Sequence, residues 1–324
     1  MDYAREALVD LNAIIHLFAK RVILVLRRIS GFDKIKKMKI GISKKFFFGF
    51  SAAFFWAISI VVSRYVFQRG EDPYTMVLWT SLGAVPIWLY YAGKNQKQIY
   101  SLDKRVLLSL AVIGIAGSIG VSLMEVLALK YTTAINFSFL IRSVVVFTIF
   151  FAFVAFKEQI TLKKLILVIL TILGSFFLIT KGQSLSLQRG DIFTLIEAAM
   201  IAFVNNILIK YTVSKIHPDF SAAMSFFIGL APIIVFAYFA NAIKWPLSWS
   251  VILIVVVCDV LLAQSRNRAY QLGTASFVTM MMSFTPVLVT LMAFLFLHES
   301  MTPVQLAGGI LIVSAGVAAE KLKI

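Results

Sequence analysis

Residues 274–316 read TASFVTMMMSFTPVLVTLMAFLFLHESMTPVQLAGGILIVSAG. Two apolar runs, each close to the roughly 20 residues that span a bilayer, flank a tight polar turn, His298-Glu299-Ser300-Met301-Thr302-Pro303. The pattern occurs twice. A displacement of 141 positions lays Glu299 on Glu158, Thr274-Ala275 on Thr133-Ala134, Thr302 on Thr161 and Ile310-Leu311 on Ile169-Leu170. Shared leucines and alanines carry little weight in an apolar chain. A Glu-x-x-Thr turn at a fixed distance from a Thr-Ala pair carries more, and a repeat of this length governs the whole fold.

Working outward, the 324 residues are 60% hydrophobic and only 14% charged, against about 25% charged in a soluble domain. Mean hydropathy is +0.91. Ten apolar segments approach spanning length, near 46–67, 73–92, 106–128, 133–156, 161–180, 190–210, 218–240, 248–268, 274–297 and 303–320. The repeat extends upstream at an offset of 146, which pairs Gly83 and Pro86 with Gly229 and Pro232, and Tyr65 with Tyr211. Each copy therefore holds five segments, and an odd number inverts the second copy in the membrane. The sequence predicts an all-α polytopic membrane protein of ten transmembrane helices. They form two inverted-topology five-helix repeats, 46–181 and 189–321, behind a basic amphipathic cytoplasmic N-terminal segment, 1–45.

In that segment Leu11, Ile15, Phe18, Val22, Leu26 and Ile29 fall at helical spacing, while Lys20, Arg21, Arg27 and Arg28 break any spanning run. It is not a signal peptide, because no small-residue cleavage site follows a clean apolar core. It predicts a helix lying on an anionic lipid surface. The excess of 31 basic over 15 acidic residues, net +16, sets topology and does not call for a nucleic-acid partner. With the N-terminus inside, the inner connections carry thirteen basic residues: Lys94, Lys97, Lys104, Arg105, Lys157, Lys163, Lys164, Lys210, Lys215, Arg266, Arg268, Lys321 and Lys323. The outer ones carry six: Arg64, Arg69, Lys130, Lys181, Arg189 and Lys244. Both termini are expected in the cytoplasm, with the protein in the cell inner membrane as a monomer or homodimer.

Once connections are set aside, Glu125, Arg142, Glu197 and Asp259 remain within spans. Such residues are expensive in hydrocarbon and face a bundle interior or a wet cavity. At about 1.5 Å per residue, Glu125 and Glu197 lie roughly 9 Å below the outer surface, and Arg142 and Asp259 roughly 16 Å. Ser118, Ser122 and Glu125 share one helical face and are laid on Asp259, Ala263 and Arg266 by the displacement of 141. Ser138 and Arg142 are laid on Thr279 and Ser283, and Ser59 on Asn205 at the offset of 146. Polar stripes thus occupy equivalent helices, the first and sixth, third and eighth, fourth and ninth, around one expected cavity. The candidate substrate-binding set is Arg142, Glu125, Glu197, Asp259, Asn205, Trp56, Ser59, Ser118, Ser138, Thr279 and Ser283. Asp259, Glu125 and Glu197 are the candidate proton carriers. Arg142 has two readings, a structural partner of Glu125 or Glu197 or a fork for an anionic group. Single serines and threonines bond their own helix backbone more often than a ligand, and Asn205-Asn206 also reads as interhelical glue.

Cys258 is the one cysteine and the three histidines share no ligand spacing, so no metal site or cofactor is expected. His298-Glu299 lacks the second histidine of a zinc-protease motif, since position 302 is Thr.

The chain resembles the drug/metabolite transporter superfamily, and within it the EamA-type ten-helix permeases. The resemblance rests on Thr274-Ala275-Ser276, on Phe284-Thr285-Pro286-Val287, on His298-Glu299-Ser300-Met301-Thr302 and on the glycines Gly308, Gly309 and Gly316. The first copy contributes Thr132-Thr133-Ala134 and Lys157-Glu158-Gln159-Ile160-Thr161, but has Val145 where the second has Pro286. The resemblance covers roughly 46–320 and implies export or exchange of small metabolites without ATP. The expected function is a secondary active transporter, a permease, exporter or exchanger. It would move a small polar metabolite such as an amino acid by alternating access. A small-solute channel is the alternative, and an intramembrane enzyme a weaker one, since no catalytic constellation is present.

Overall fold

In the computed structural model the described residues are 43–67, 69–131, 140–157, 159, 161–180, 189–297 and 302–321. The N-terminal segment 1–42, Ser138 and the turn residues Glu158 and His298 to Met301 lie outside them, as does the side chain of Asn205. All the packing below is within the unit Lys44–Ile324.

The described residues form helices joined by short connections. The first are α1 (Lys44–Phe67), α2 (Pro73–Lys94), α3 (Lys104–Ile115), α4 (Ser122–Tyr131), α5 (Val144–Phe156) and α6 (Leu162–Thr180). There follow α7 (Arg189–Met200), α8 (Ile209–Val213), α9 (Pro218–Phe239), α10 (Trp249–Leu272), α11 (Ala275–Met282), α12 (Thr285–Leu297) and α13 (Pro303–Lys321). Local chemistry sets several of the starts. Asp72 caps α2 by accepting from the Thr75 amide at 2.8 Å, with Pro73 in the first turn, and Thr274 caps α11 by accepting from the Phe277 amide at 3.1 Å. A proline in the first turn loses nothing, because its missing N–H has no intrahelical partner there.

Four helices, Lys44–Phe67, Arg189–Val213, Pro218–Phe239 and Trp249–Leu272, are each long and apolar enough to cross a membrane. Ile141–Phe156, Ala275–Val289 and Leu306–Ala315 are shorter apolar helices. Several of the basic residues assigned to connections, Lys210, Arg266 and Arg268 among them, lie inside helices.

Among the described residues, irregular backbone interrupts the apolar runs in four places. A π-helical segment, Ala116–Val121, joins α3 to α4, and another, Ile201–Leu208, joins α7 to α8. A 3₁₀ turn, Ile141–Ser143, precedes α5. Ser283 and Phe284 separate α11 from α12. The last break has a chemical cause: Pro286 has no N–H to offer the Met282 carbonyl four residues earlier. Thr285 Oγ1 donates to that oxygen instead, at 2.7 Å. By contrast α1 and α10, 24 residues each, run without interruption.

The most extensive packing is of α1 on α10 and of α6 on α13. Next come α3 on α9, α4 on α7, α2 on α9, α1 on α12, α2 on α10, and α5 on both Ile201–Leu208 and α11. Glycines permit two of these approaches. A Cβ added at Gly229 would stand 2.6 Å from the Gly114 carbonyl oxygen, and one at Gly174 2.8 Å from that of Gly308. With lipid as solvent, close backbone contact of this kind holds helices together where the hydrophobic effect does not. The outward faces are apolar, as with Leu162, Ile166 and Ile169 on α6 and Leu306 and Ile310 on α13, while Glu197, Asn206, Thr148 and Thr279 are buried.

The two ends of the bundle are closed differently. At one end Trp79 Nε1 donates to the Lys244 carbonyl at 2.6 Å, the Leu247 amide donates to Glu71 Oε2 at 2.6 Å, and Trp79 stacks on Trp245 beside Trp249. At the other, Lys210 Nζ donates to the carbonyls of Tyr270 and Gly273 at 2.7 and 2.5 Å. There too, Arg268 pairs with Asp219 at 2.8 Å and Asn267 Nδ2 donates to the Pro218 carbonyl.

Candidate functional site

The polar interior is layered. Nearest the Lys210 end is a closed network. Asn206 Nδ2 donates to Thr148 Oγ1 at 2.5 Å and to Thr279 Oγ1 at 3.0 Å, and the Tyr270 hydroxyl donates to Asn206 Oδ1. Thr279 Oγ1 also donates to the Ala275 carbonyl at 3.0 Å. Four helical stretches meet here, each contributing one buried group. In a low-dielectric interior such a network is stabilising only when its members are satisfied, and these are. Thr279, a candidate ligand residue, sits in this network.

Toward the Trp79 end the arrangement changes. Arg142 lies in the 3₁₀ turn, about 9 Å from Thr148 at roughly 1.5 Å per residue. It is buried, and its Nη1 reaches the Met282 carbonyl, the oxygen left over by Pro286, at a long 3.4 Å. Its guanidinium stands 5.6 Å from the centroid of the Trp56 ring, within cation–π range. Its Nε is buried without a partner, and among the described residues no carboxylate forms an ion pair with it. Glu197, 1% exposed, has an Oε2 that is likewise buried and unpartnered. It is in electrostatic contact with Glu125 and Arg142.

Asp259 accepts from Ser59 Oγ at 2.8 Å, tying α1 to α10. It interacts electrostatically with Glu125 and with Arg266. The structure therefore brings Glu125, Arg142, Glu197, Asp259, Ser59 and Trp56 into one neighbourhood. It places Ser118 and Ser283 differently: their hydroxyls donate to the Ile115 and Thr279 carbonyls of their own helices, at 3.2 and 3.3 Å. Asn205 and Ser138 lie outside the described side chains.

Residues that the sequence pattern did not select are Thr148 and Tyr270, which build the network with Asn206, and Arg266; Asn206 has the interhelical role that Asn205-Asn206 suggested. The i, i+4, i+7, i+11 spacing of Asp259, Ala263, Arg266 and Tyr270 on one helical face was available in the sequence. Assigning Arg266 to a connection hid it. Its Nε is buried and unpartnered within α10. An open recess of about 380 Å³ at the Lys210 end, lined by Gln98, Lys215, His217 and Gln271 among others, touches none of these layers. Among the described residues no group of three His, Cys, Asp or Glu is placed to hold a metal ion.

Comparison with known proteins assigns the bundle. The profile of the EamA-like transporter family matches residues 43–180 and again residues 188–318. The chain belongs to the EamA-like transporter family. It is an integral, multi-pass membrane protein of the drug/metabolite transporter superfamily, a transporter and not an enzyme. A solved crystal structure superposes on this EamA-like transporter with a TM-score of 0.70 over 86% of this chain and 97% of that one. At 14% identity it shares the fold alone. No curated protein matches.

Proposed function

We propose that this EamA-like transporter is a secondary carrier, moving a small polar metabolite such as an amino acid by alternating access through its layered interior. One observation carries the reading: at the centre of a family-assigned membrane bundle, Arg142 Nε and Glu197 Oε2 are buried without partners. Unpaired polar groups at membrane depth are costly, and a bound solute supplies what they lack.

The inverted-repeat plan, ten helices in the halves 46–181 and 189–321, is supported by the double family match and by the packing. Exchange of the halves turns α1–α10 into α7–α4, α2–α10 into α9–α3, and α1–α12 into the contact of Ile201–Leu208 with α5. It leaves α2–α9, α5–α11 and α6–α13 as themselves. Every one of these contacts is among the major ones. The thirteen-to-six basic count favours cytoplasmic termini in an inner membrane, with the segment 1–45 on anionic lipid and the Lys210 end inward. Three acids against Arg142 leave carboxylates for protons, with Asp259 the foremost carrier.

The test is counterflow in proteoliposomes loaded with unlabelled amino acids. A carrier accumulates labelled solute transiently above equilibrium. A channel equilibrates without exchange, and that result overturns the carrier reading.

A further inference from the structure

Measured from the satisfied network, the charges beyond it are sorted by sign. Arg266 lies four residues before Tyr270 and Arg142 six before Thr148, so the two arginines sit about 6 and 9 Å outward along their helices. Glu197 lies nine residues before Asn206 and Asp259 eleven before Tyr270, which places them about 13 and 16 Å outward. Glu125 is electrostatically coupled to both acids. The interior thus has a floor of satisfied polar groups, then a layer of arginines, then a layer of acids facing the Trp79 end.

Both arginines carry a buried, unpartnered Nε, and Glu197 in the facing layer carries a buried, unpartnered oxygen. Neither arginine forms an ion pair with an acid among the described residues. Arg266 shares a helical face with Asp259, seven residues or about 10 Å away along α10, and interacts electrostatically with it and with Tyr270, but no ion pair closes between them. Symmetry does not demand a base here either, because the residue laid on Arg266 by the repeat is Glu125.

We propose that Arg266 acts with Arg142 as an anion-holding pair, and that the substrate is a two-ended solute. Its acidic group rests on the two arginines and its ammonium group points toward Glu197, Glu125 and Asp259. The proposal deepens the transporter reading and rests on it. Two guanidinium forks present more donors than one carboxylate or phosphate accepts through a single residue, which pins the acidic end. The acid layer then selects for a positive group at the other end and rejects a simple anion.

The test uses purified full-length protein and a series of ω-amino acids, glycine, β-alanine, 4-aminobutyrate and 6-aminohexanoate, with butylamine and butyrate as one-ended controls. Thermal stabilisation is followed against concentration, since a ligand of the folded state raises stability by mass action. The expected result is stabilisation that peaks at one chain length and is absent or about tenfold weaker with either control. Arg266→Gln and Arg142→Gln should each raise the half-saturating concentration of the best probe about tenfold or more, the scale of one lost charge-assisted contact. Arg266→Lys should fall between. Butylamine or butyrate stabilising as well as the best probe overturns the proposal. So does unchanged binding in Arg266→Gln, or stabilisation by none of the series. Should Arg266→Gln not fold, the lysine variant and the wild-type controls decide. Counterflow of the labelled best probe separates the two readings. Counterflow that butylamine or butyrate drives as well as the two-ended probe defeats this proposal and leaves the carrier. Two-ended binding without counterflow defeats the carrier and leaves the site.

Discussion

Two polar regions lie one above the other in this bundle, and they are built on opposite principles. The network of Asn206, Thr148, Thr279 and Tyr270 joins its members by short bonds. The arginine and acid layers leave Arg142 Nε, Arg266 Nε and Glu197 Oε2 buried and unpartnered. Polarity inside a membrane protein therefore says little by itself. The satisfied groups tie helices together, whereas the unpartnered atoms of the charged residues are the ones the proposed solute would engage.

The largest expected effect comes from breaking the satisfied side. Asn206→Leu strands Thr148 and Tyr270 and should cost about 2–4 kcal/mol of stability, as two or more buried polar groups lose partners. Reversible unfolding in a mixed detergent measures it, and wild-type stability would end the structural reading of the network. On the unsatisfied side, Arg142→Gln should do the reverse. The protein should fold with little loss, because no ion pair is broken, while transport falls about tenfold or more. Poor expression rescued by Glu197→Gln would instead make Arg142 a structural partner. Next in size, Asp259→Asn should abolish the response of transport to an imposed proton gradient, measured as the ratio of uptake with and without the gradient. Unchanged dependence on the gradient would clear Asp259 of proton carriage. The smallest effects belong to Ser118→Ala and Ser283→Ala. Their hydroxyls serve their own helix backbone, so each change should alter stability by less than about 1 kcal/mol and transport by less than about twofold. A larger loss at either would extend the unsatisfied region.

Much of this was legible in the linear pattern. The displaced Glu-x-x-Thr turn and the apolar segments led to a helical bundle of the EamA type. Of Glu125, Arg142, Glu197 and Asp259, singled out by depth, Arg142 and Glu197 carry unpartnered atoms. Legibility failed at Arg266, and at Asn206 it reached the interhelical role but not the partners. Arg266 sits near enough to the end of an apolar run to be taken for a topological charge. Asn206 is the neighbour of the residue that the repeat selected, and on a helix one position is about 100° of rotation.

What the sequence determined by itself is whatever depends on composition and period: an all-helical membrane chain, the repeat, and the few residues too costly to bury without a reason. What only the tertiary structure decided is which polar atoms meet. Thr279 and Ser283 lie one turn apart on adjoining stretches, yet one joins two other helical stretches and the other bonds its own backbone. Periodicity places a side chain on a face, but the partner arrives from a helix far away in the chain. Arg142 meets the Met282 carbonyl across 140 residues, because Pro286 leaves that oxygen without an amide and the packing of α5 on α11 brings the guanidinium to it.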